Sequence, residues 1–248
     1  MPRPENIIDK SQNFVGVAQV HPQEFWIGFS FVTIAIICLF VAVFFLYKKQ
    51  QKTNKQGFIF ENQVRKNVKE IAKANKSFYL EGTKYNIDGQ LCEVDDLIVT
   101  EYGMIVLEYK SYFGHVSGDS YEKMYLSSKK TKQKVITNFI LQNEKHIDHF
   151  SKLVRRRIKN DTDFNRKDFF ASVIVLGGDS TFDVHNVPSH VFLANEQNLE
   201  EKIQQAYKYL KATSLKIEDV KNFASMIRTH EASTINEKKT FLKMIKAK

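Results

Sequence analysis

Residues 93–110 read Glu-Val-Asp-Asp-Leu-Ile-Val-Thr-Glu-Tyr-Gly-Met-Ile-Val-Leu-Glu-Tyr-Lys, and this stretch decides the fold. Two apolar runs, Leu97–Val99 and Met104–Leu107, flank the turn signal Glu101-Tyr102-Gly103. The pattern predicts a β-hairpin with strands over Leu91–Thr100 and Met104–Lys110. Side chains alternate faces along a strand, so Glu93 shares a face with Asp95, and Glu108 with Lys110. Pairing the strands brings Asp95 and Glu108 together at the end of the hairpin. Two carboxylates so placed repel one another unless a divalent cation lies between them, and hard oxygen donors suit magnesium or manganese. Lys110 points at the same spot, where an ammonium stabilises developing phosphate charge or orients a water. In a chain that is 26% charged, an Asp…Glu-x-Lys pattern is permissive by itself, and a solvated strand end is the plain alternative.

Working outward, shorter β pieces are expected at Ser77–Leu80, Thr83–Ile87, Tyr112–Val116 and Lys123–Leu126. Before them, Phe60, Val64, Val68 and Ile71 recur at helical spacing on one face. Helical periodicity returns over Val135–Lys159 with Phe139, Ile140, Ile147, Phe150 and Val154. Ser172–Leu176 reads as a buried strand ending at Gly177-Gly178, and Val191–Ala194 as a short strand. From Glu196 onward the chain is helical, through Leu199, Ile203, Tyr207 and Leu210, then Val220, Phe223 and Ile227. The sum is a mixed α/β domain with helices flanking one sheet.

The N-terminal part is different in kind. From Phe25 to Tyr47 there are 23 residues without a charge, and only Ser30 and Thr33 have polar side chains. As a helix this run covers roughly 30 Å of hydrocarbon with every backbone group satisfied internally. It starts too late and runs too long for a cleaved signal peptide. Lys48, Lys49, Lys52 and Lys55 follow it, while only Arg3 and Lys10 precede it. The positive-inside rule then puts residues 1–24 outside and the remainder in the cytoplasm, as a single-pass protein of the cell membrane. Trp26 and Tyr47 stand where interfacial aromatics are expected. The organisation is therefore an extracytoplasmic segment 1–24, a transmembrane helix 25–47, a polar linker 48–56, a domain 57–195 and a C-terminal helical segment 196–248.

Net charge is +9, and residues 48–248 carry 35 basic against 25 acidic side chains, about +10. Such an excess suits nucleic acid or an anionic lipid surface. Arg155-Arg156-Arg157 with Lys152 is one candidate phosphate grip, although cations also favour a helix C-terminus. The two cysteines, Cys38 and Cys92, provide no disulfide framework. The seven histidines show no metal-ligand spacing, and Gly177-Gly178-Asp179 lacks the lysine of a phosphate loop.

The hairpin does not stand alone. Gly57 with Phe60-Glu61, Glu93-Val94-Asp95, Gly103 through Glu108-Tyr109-Lys110, Gly114-His115-Val116-Ser117-Gly118, and Asn138 with Gln142-Asn143 and His146 follow in order. In that order and spacing the chain resembles the nuclease-related domain (NERD) family of the restriction-endonuclease-like PD-(D/E)xK superfamily. The resemblance implies a restriction-endonuclease-like mixed sheet, and a Mg2+- or Mn2+-dependent endonuclease acting on DNA. It implies Asp95 and Glu108 as metal ligands and Lys110 as the catalytic lysine. Glu61 would approach from the first helix, and Gln142 would line the site from the later one. A nuclease held at a membrane would meet incoming DNA, in defence or in processing. Three positions depart from the family: Phe139 replaces a proline, Asp96 replaces a frequent histidine, and no tryptophan follows the second glycine, Tyr121 and Tyr125 being nearest. They leave open a catalytically silent nucleic-acid-binding tether, and a protein-interaction scaffold is a further alternative.

Overall fold

In the computed structural model, residues 22–128, 131–157, 166–213 and 216–232 are described, apart from the side chains of 22–33, 35, 49–54, Thr131, Arg157 and Arg166. The chain divides into two units, Met1–Thr53 and Asn54–Lys248.

Helix α1 covers Pro22–Ala74. Proline is well placed at its first position, where the missing N–H has no intrahelical partner to lose. In the first unit, the side chains from Ile34 to Tyr47 that are described are exposed and almost all apolar. Among the described residues, no helix is long and apolar enough to cross a membrane. Of the span expected at 25–47, the side chains of 25–33 and 35 lie outside those described. Residues 48–56, expected as a polar linker, are helical.

In the second unit, α1 buries Phe60, Val64, Val68 and Ala72 along one stripe. The helix stops at Ala74 because Lys76 adopts φ 54°, while Ser77 N–H bonds to Ala72 O and Lys76 N–H to Lys73 O. That paired closure satisfies the last carbonyls, here with a lysine in the left-handed position glycine usually takes.

Strands β1 (Phe78–Ile87), β2 (Gln90–Thr100) and β3 (Gly103–Lys110) follow as an antiparallel meander. The two pieces expected at 77–80 and 83–87 are one strand. Gly82 does not break it; a Cβ there would lie 1.6 Å from Asp95 O, so only glycine permits β1 to approach β2 so closely. Strand β4 (His115–Asp119), β5 (Met124–Ser128) and β6 (Thr131–Ile136) come next, then α2 (Phe139–Arg157), a short α3 (Arg166–Phe169), β7 (Phe170–Leu176), β8 (Thr181–His185), β9 (Val191–Asn195), α4 (Leu199–Thr213) and α5 (Val220–Arg228).

The strands form two mixed sheets, β1-β2-β3-β7-β9 and β6-β5-β4-β8, and this corrects the expectation of one sheet. The second sheet was hidden because β6 carries Lys132, Gln133 and Lys134 without apolar alternation, and β8 is only five residues long. Helix α2 correspondingly begins at Phe139 rather than Val135.

In the larger sheet, β3 is antiparallel to β2 and parallel to β7. All seven residues of β7 are buried, as expected of a parallel strand covered on both faces. Ile98, Ile105, Leu107 and Tyr109 face α1 and α4. Leu97, Val99, Met104 and Val106 face α2 and α5. The smaller sheet packs Val116, Met124, Leu126 and Ile136 against Phe139 and Ile140 at the start of α2.

Candidate active site

The β2–β3 ladder runs from the turn as far as Asp96 opposite Leu107, and there it ends. Asp95 and Glu108 are the next residues on each strand, on the face that α2 covers. Tyr109 N–H, which a continuing ladder would give to the backbone of β2, instead donates to Asp95 Oδ2 at 2.6 Å. A split therefore opens between two central strands, with one carboxylate on each bank.

Glu108 is the better buried of the two, with its side chain 2% exposed. An ionised carboxylate out of water must be compensated, and Lys110 and Gln142, from two elements, do this. Lys110 Nζ lies 2.5 Å from Oε1, Gln142 Nε2 donates to the same oxygen at 2.7 Å, and His146 Nε2 stands 3.6 Å from Oε2. Lys110 shares the face of Glu108 because they stand two positions apart on a strand. Gln142 and His146 share a face because they stand four positions apart on a helix.

Helix α2 is aimed by asparagines. Asn138 Oδ1 accepts from Ile140 N–H and Leu141 N–H, while its Nδ2 donates to the carbonyls of Ser120 and Glu122. This caps the helix and ties its start to the β4–β5 turn. Asn143, fully buried, donates to Val106 O at 3.0 Å and to Ser172 Oγ at 2.8 Å, which fastens α2 to β3 and β7.

The electrostatics follow from this crowding. Burial, and then the negative charge of Glu108, push the Asp95 carboxyl up to about 7, against the pull of Tyr109 N–H and Lys110. Burial works against the charge on Lys110, but Glu108, which is also hydrogen-bonded to it, and Asp95 outweigh burial and raise its pKa. Glu61, half-buried on α1, is raised by burial and feels Lys110, Glu108 and Glu93. Glu61 thus lies within electrostatic reach of the site.

Asp95, Glu108, Lys110 and Gln142, all expected from the sequence, gather at the split. Asp96 does not join them. It points to the opposite face, fully buried, where it accepts from Gly82 N–H at 2.7 Å, Tyr109 O–H at 2.6 Å and Arg65 Nε at 3.3 Å. Asp96, which stands where the family often has histidine, is kept out of the split by strand alternation itself. Tyr109, Arg65 and Gly82 were not singled out from the sequence; no periodicity relates Arg65 to a carboxylate 31 residues away. The basic cluster on α2 is partly engaged: Arg156 pairs with Asp88 in the β1–β2 turn, and Lys152 donates to Gln90 Oε1 at 3.3 Å. Arg155 is exposed and has interactions of its own, and the side chain of Arg157 lies outside those described.

A family model described as nuclease-related domain matches residues 51–177, just over half of the chain. The chain belongs to the nuclease-related domain family. No curated protein and no solved structure matches it. The matched region runs from α1 through β7 and contains the whole split of this nuclease-related domain, so its function is nuclease-related. Its superfamily assignment is consistent with the Asp95…Glu108-x-Lys110 order.

Among the described residues, no group of three or more His, Cys, Asp or Glu is arranged to hold a metal ion. Magnesium commonly uses one or two carboxylates and keeps several waters, so a pair suffices chemically. Asp95 and Glu108 would supply that pair. Both ring nitrogens of His146 are buried beside them with no hydrogen-bond partner in the protein, which marks a site with unfilled polar capacity. The donor set therefore fits a hard divalent cation.

Proposed function

We propose that this protein is a membrane-anchored, Mg2+- or Mn2+-dependent nuclease that hydrolyses DNA phosphodiester bonds. The observation that carries this reading is the meeting of Lys110 and Gln142 on one oxygen of Glu108, across a strand split from Asp95. Structural carboxylates can be buried with an ion partner, but here a second carboxyl is held near neutrality beside the first. A carboxyl raised in this way beside a second negative charge favours a functional site over a structural ion pair.

Asp95 and Glu108 would hold the cation, which supplies Lewis acidity at the phosphate when bound. Lys110, with its side chain 21% exposed, presents an ammonium toward solvent and meets charge developing on the phosphate oxygens. Gln142 keeps Glu108 fixed while Lys110 turns from it to substrate. Glu61 adds a carboxylate from α1 that orients water entering the split.

Membrane attachment rests on the uncharged run Phe25–Tyr47 and the lysines after it. In this reading the domain is cytoplasmic, beside a membrane that incoming DNA must cross. The test is plasmid nicking by the full chain in detergent, with Mg2+, Mn2+ or a chelator. Metal-dependent nicking is expected. DNA binding without nicking would assign the chain as a silent tether instead.

A further inference from the structure

Tyr109 stands between Glu108 and Lys110 in sequence, yet its side chain occupies the opposite face of the sheet. It makes two bonds to adjacent residues of β2. Its N–H donates to Asp95 Oδ2 at 2.6 Å, and its O–H donates to Asp96 Oδ2 at 2.6 Å. One residue of β3 therefore grips both aspartates at the point where the ladder ends. Asp96 is itself anchored from two further elements, through Gly82 N–H of β1 and Arg65 of α1. Asp96 is fully buried and Tyr109 is 3% exposed, so water does not replace these bonds cheaply.

We infer that Tyr109, Asp96 and Arg65 are positioning residues that fix the width of the strand split in which Asp95 and Glu108 stand. Without a backbone ladder beyond Asp96 and Leu107, nothing regular holds the two strands at a set separation. The Tyr109 hydroxyl does so from the reverse face, by tying β3 to an aspartate that cannot move. Arg65, with its side chain 25% exposed, extends the tie to α1, the helix that carries Glu61. The Tyr109 ring and Asp96 lie on the face of the sheet away from the split, so they act through the residues beside them. A hydrogen bond to a buried charge is stronger than an ordinary one, and each tie is accordingly selective for this arrangement.

What the network does for cleavage rests on the nuclease reading above, but its positioning role has its own readout. In full-length protein, Tyr109→Phe keeps the ring and removes only the hydroxyl. Amide exchange at residue 109 is expected to quicken about tenfold or more, as its bond to Asp95 loosens, while Ile105 and Leu107 deeper in the ladder keep their protection. Mn2+ affinity, read by calorimetry without nucleic acid, should fall about tenfold, and adding Asp96→Asn should cost less than it does in the parent, because the tie to Tyr109 is already cut and only the charge facing Arg65 is further lost. A merely structural role would quicken exchange at all three amides together. Unchanged relative exchange at residue 109 in Tyr109→Phe overturns the inference, whether or not Asp96→Asn folds. A parent that neither binds Mn2+ nor nicks DNA defeats the nuclease reading, and the exchange result still decides the positioning role.

Discussion

Gln142 on α2 donates through Nε2 to Glu108 Oε1 on β3 at 2.7 Å, bridging 34 residues of sequence. The same oxygen lies 2.5 Å from Lys110 Nζ. A helix and a strand thus converge on one carboxylate, and most of what can be tested in this protein follows from that convergence.

Replacing Glu108 by glutamine preserves shape and removes the charge. Lys110 then loses its ion partner, and the split loses the charge of its better-buried carboxylate. Metal-dependent nicking is expected to vanish, while circular dichroism and the melting profile stay close to the parent. A Glu108→Gln variant that nicks plasmid at the parental rate would falsify the assignment of this carboxylate.

Lys110→Ala separates binding from chemistry. The carboxylates remain, so Mn2+ affinity should persist or strengthen, because a competing cation has gone. Losing an ammonium that meets transition-state charge should slow cleavage by about 10²-fold. Calorimetry and single-turnover nicking on the same preparation check the two halves. Equal losses in affinity and rate would instead mean that Lys110 only holds Glu108 in place.

Much of this site was legible because a strand repeats every two residues. Glu108 and Lys110 had to share a face, and the turn at Tyr102-Gly103 had to set β2 against β3. Gln142 was legible through the family resemblance, and the helical repeat adds only that His146 shares its face. The second sheet was not, since β6 is an edge strand whose lysines carry no apolar alternation. Nor was the fate of Asp96 legible. Alternation says that it leaves the site, but only the fold places Arg65, Gly82 and Tyr109 around it.

The pH response follows from Asp95, raised from 3.8 to about 7 by burial and by Glu108. An acid with a raised pKa binds its proton more tightly folded than unfolded. Its contribution to stability therefore falls as pH rises from about 4 to about 7, and is level above that. A cation must displace the same proton, so metal affinity moves the opposite way. It should climb by up to about tenfold per pH unit below 7 and flatten above it, with proton release on binding. Calorimetry in buffers of different ionisation enthalpy reads both quantities. Affinity that stays flat between pH 5 and pH 7 would show that Asp95 is already ionised or is no ligand.

The remaining question is where the basic excess of about +10 over residues 48–248 does its work. Arg156 and Lys152 are engaged with the β1–β2 turn, so they are poor candidates for gripping phosphates. Lys132 and Lys134 on β6, and Lys123 before β5, are exposed and form no ion pair with any described residue. Strand β6 leads through Thr137 and Asn138 directly into the helix that delivers Gln142. Lys134 is thus at most about 20 Å along the chain from Gln142, within the length of one turn of duplex. Binding of a duplex by the full protein should weaken linearly in log–log terms as salt rises, and Lys132→Gln with Lys134→Gln should lower the slope by about 2, at about 0.9 per phosphate contact. Arg156→Gln should leave the slope unchanged and lower the melting temperature, because Asp88 then loses its partner. Fluorescence anisotropy across a salt series measures the slopes. If the double lysine variant keeps the parental slope, these lysines serve only to shield an exposed sheet edge from pairing with another chain.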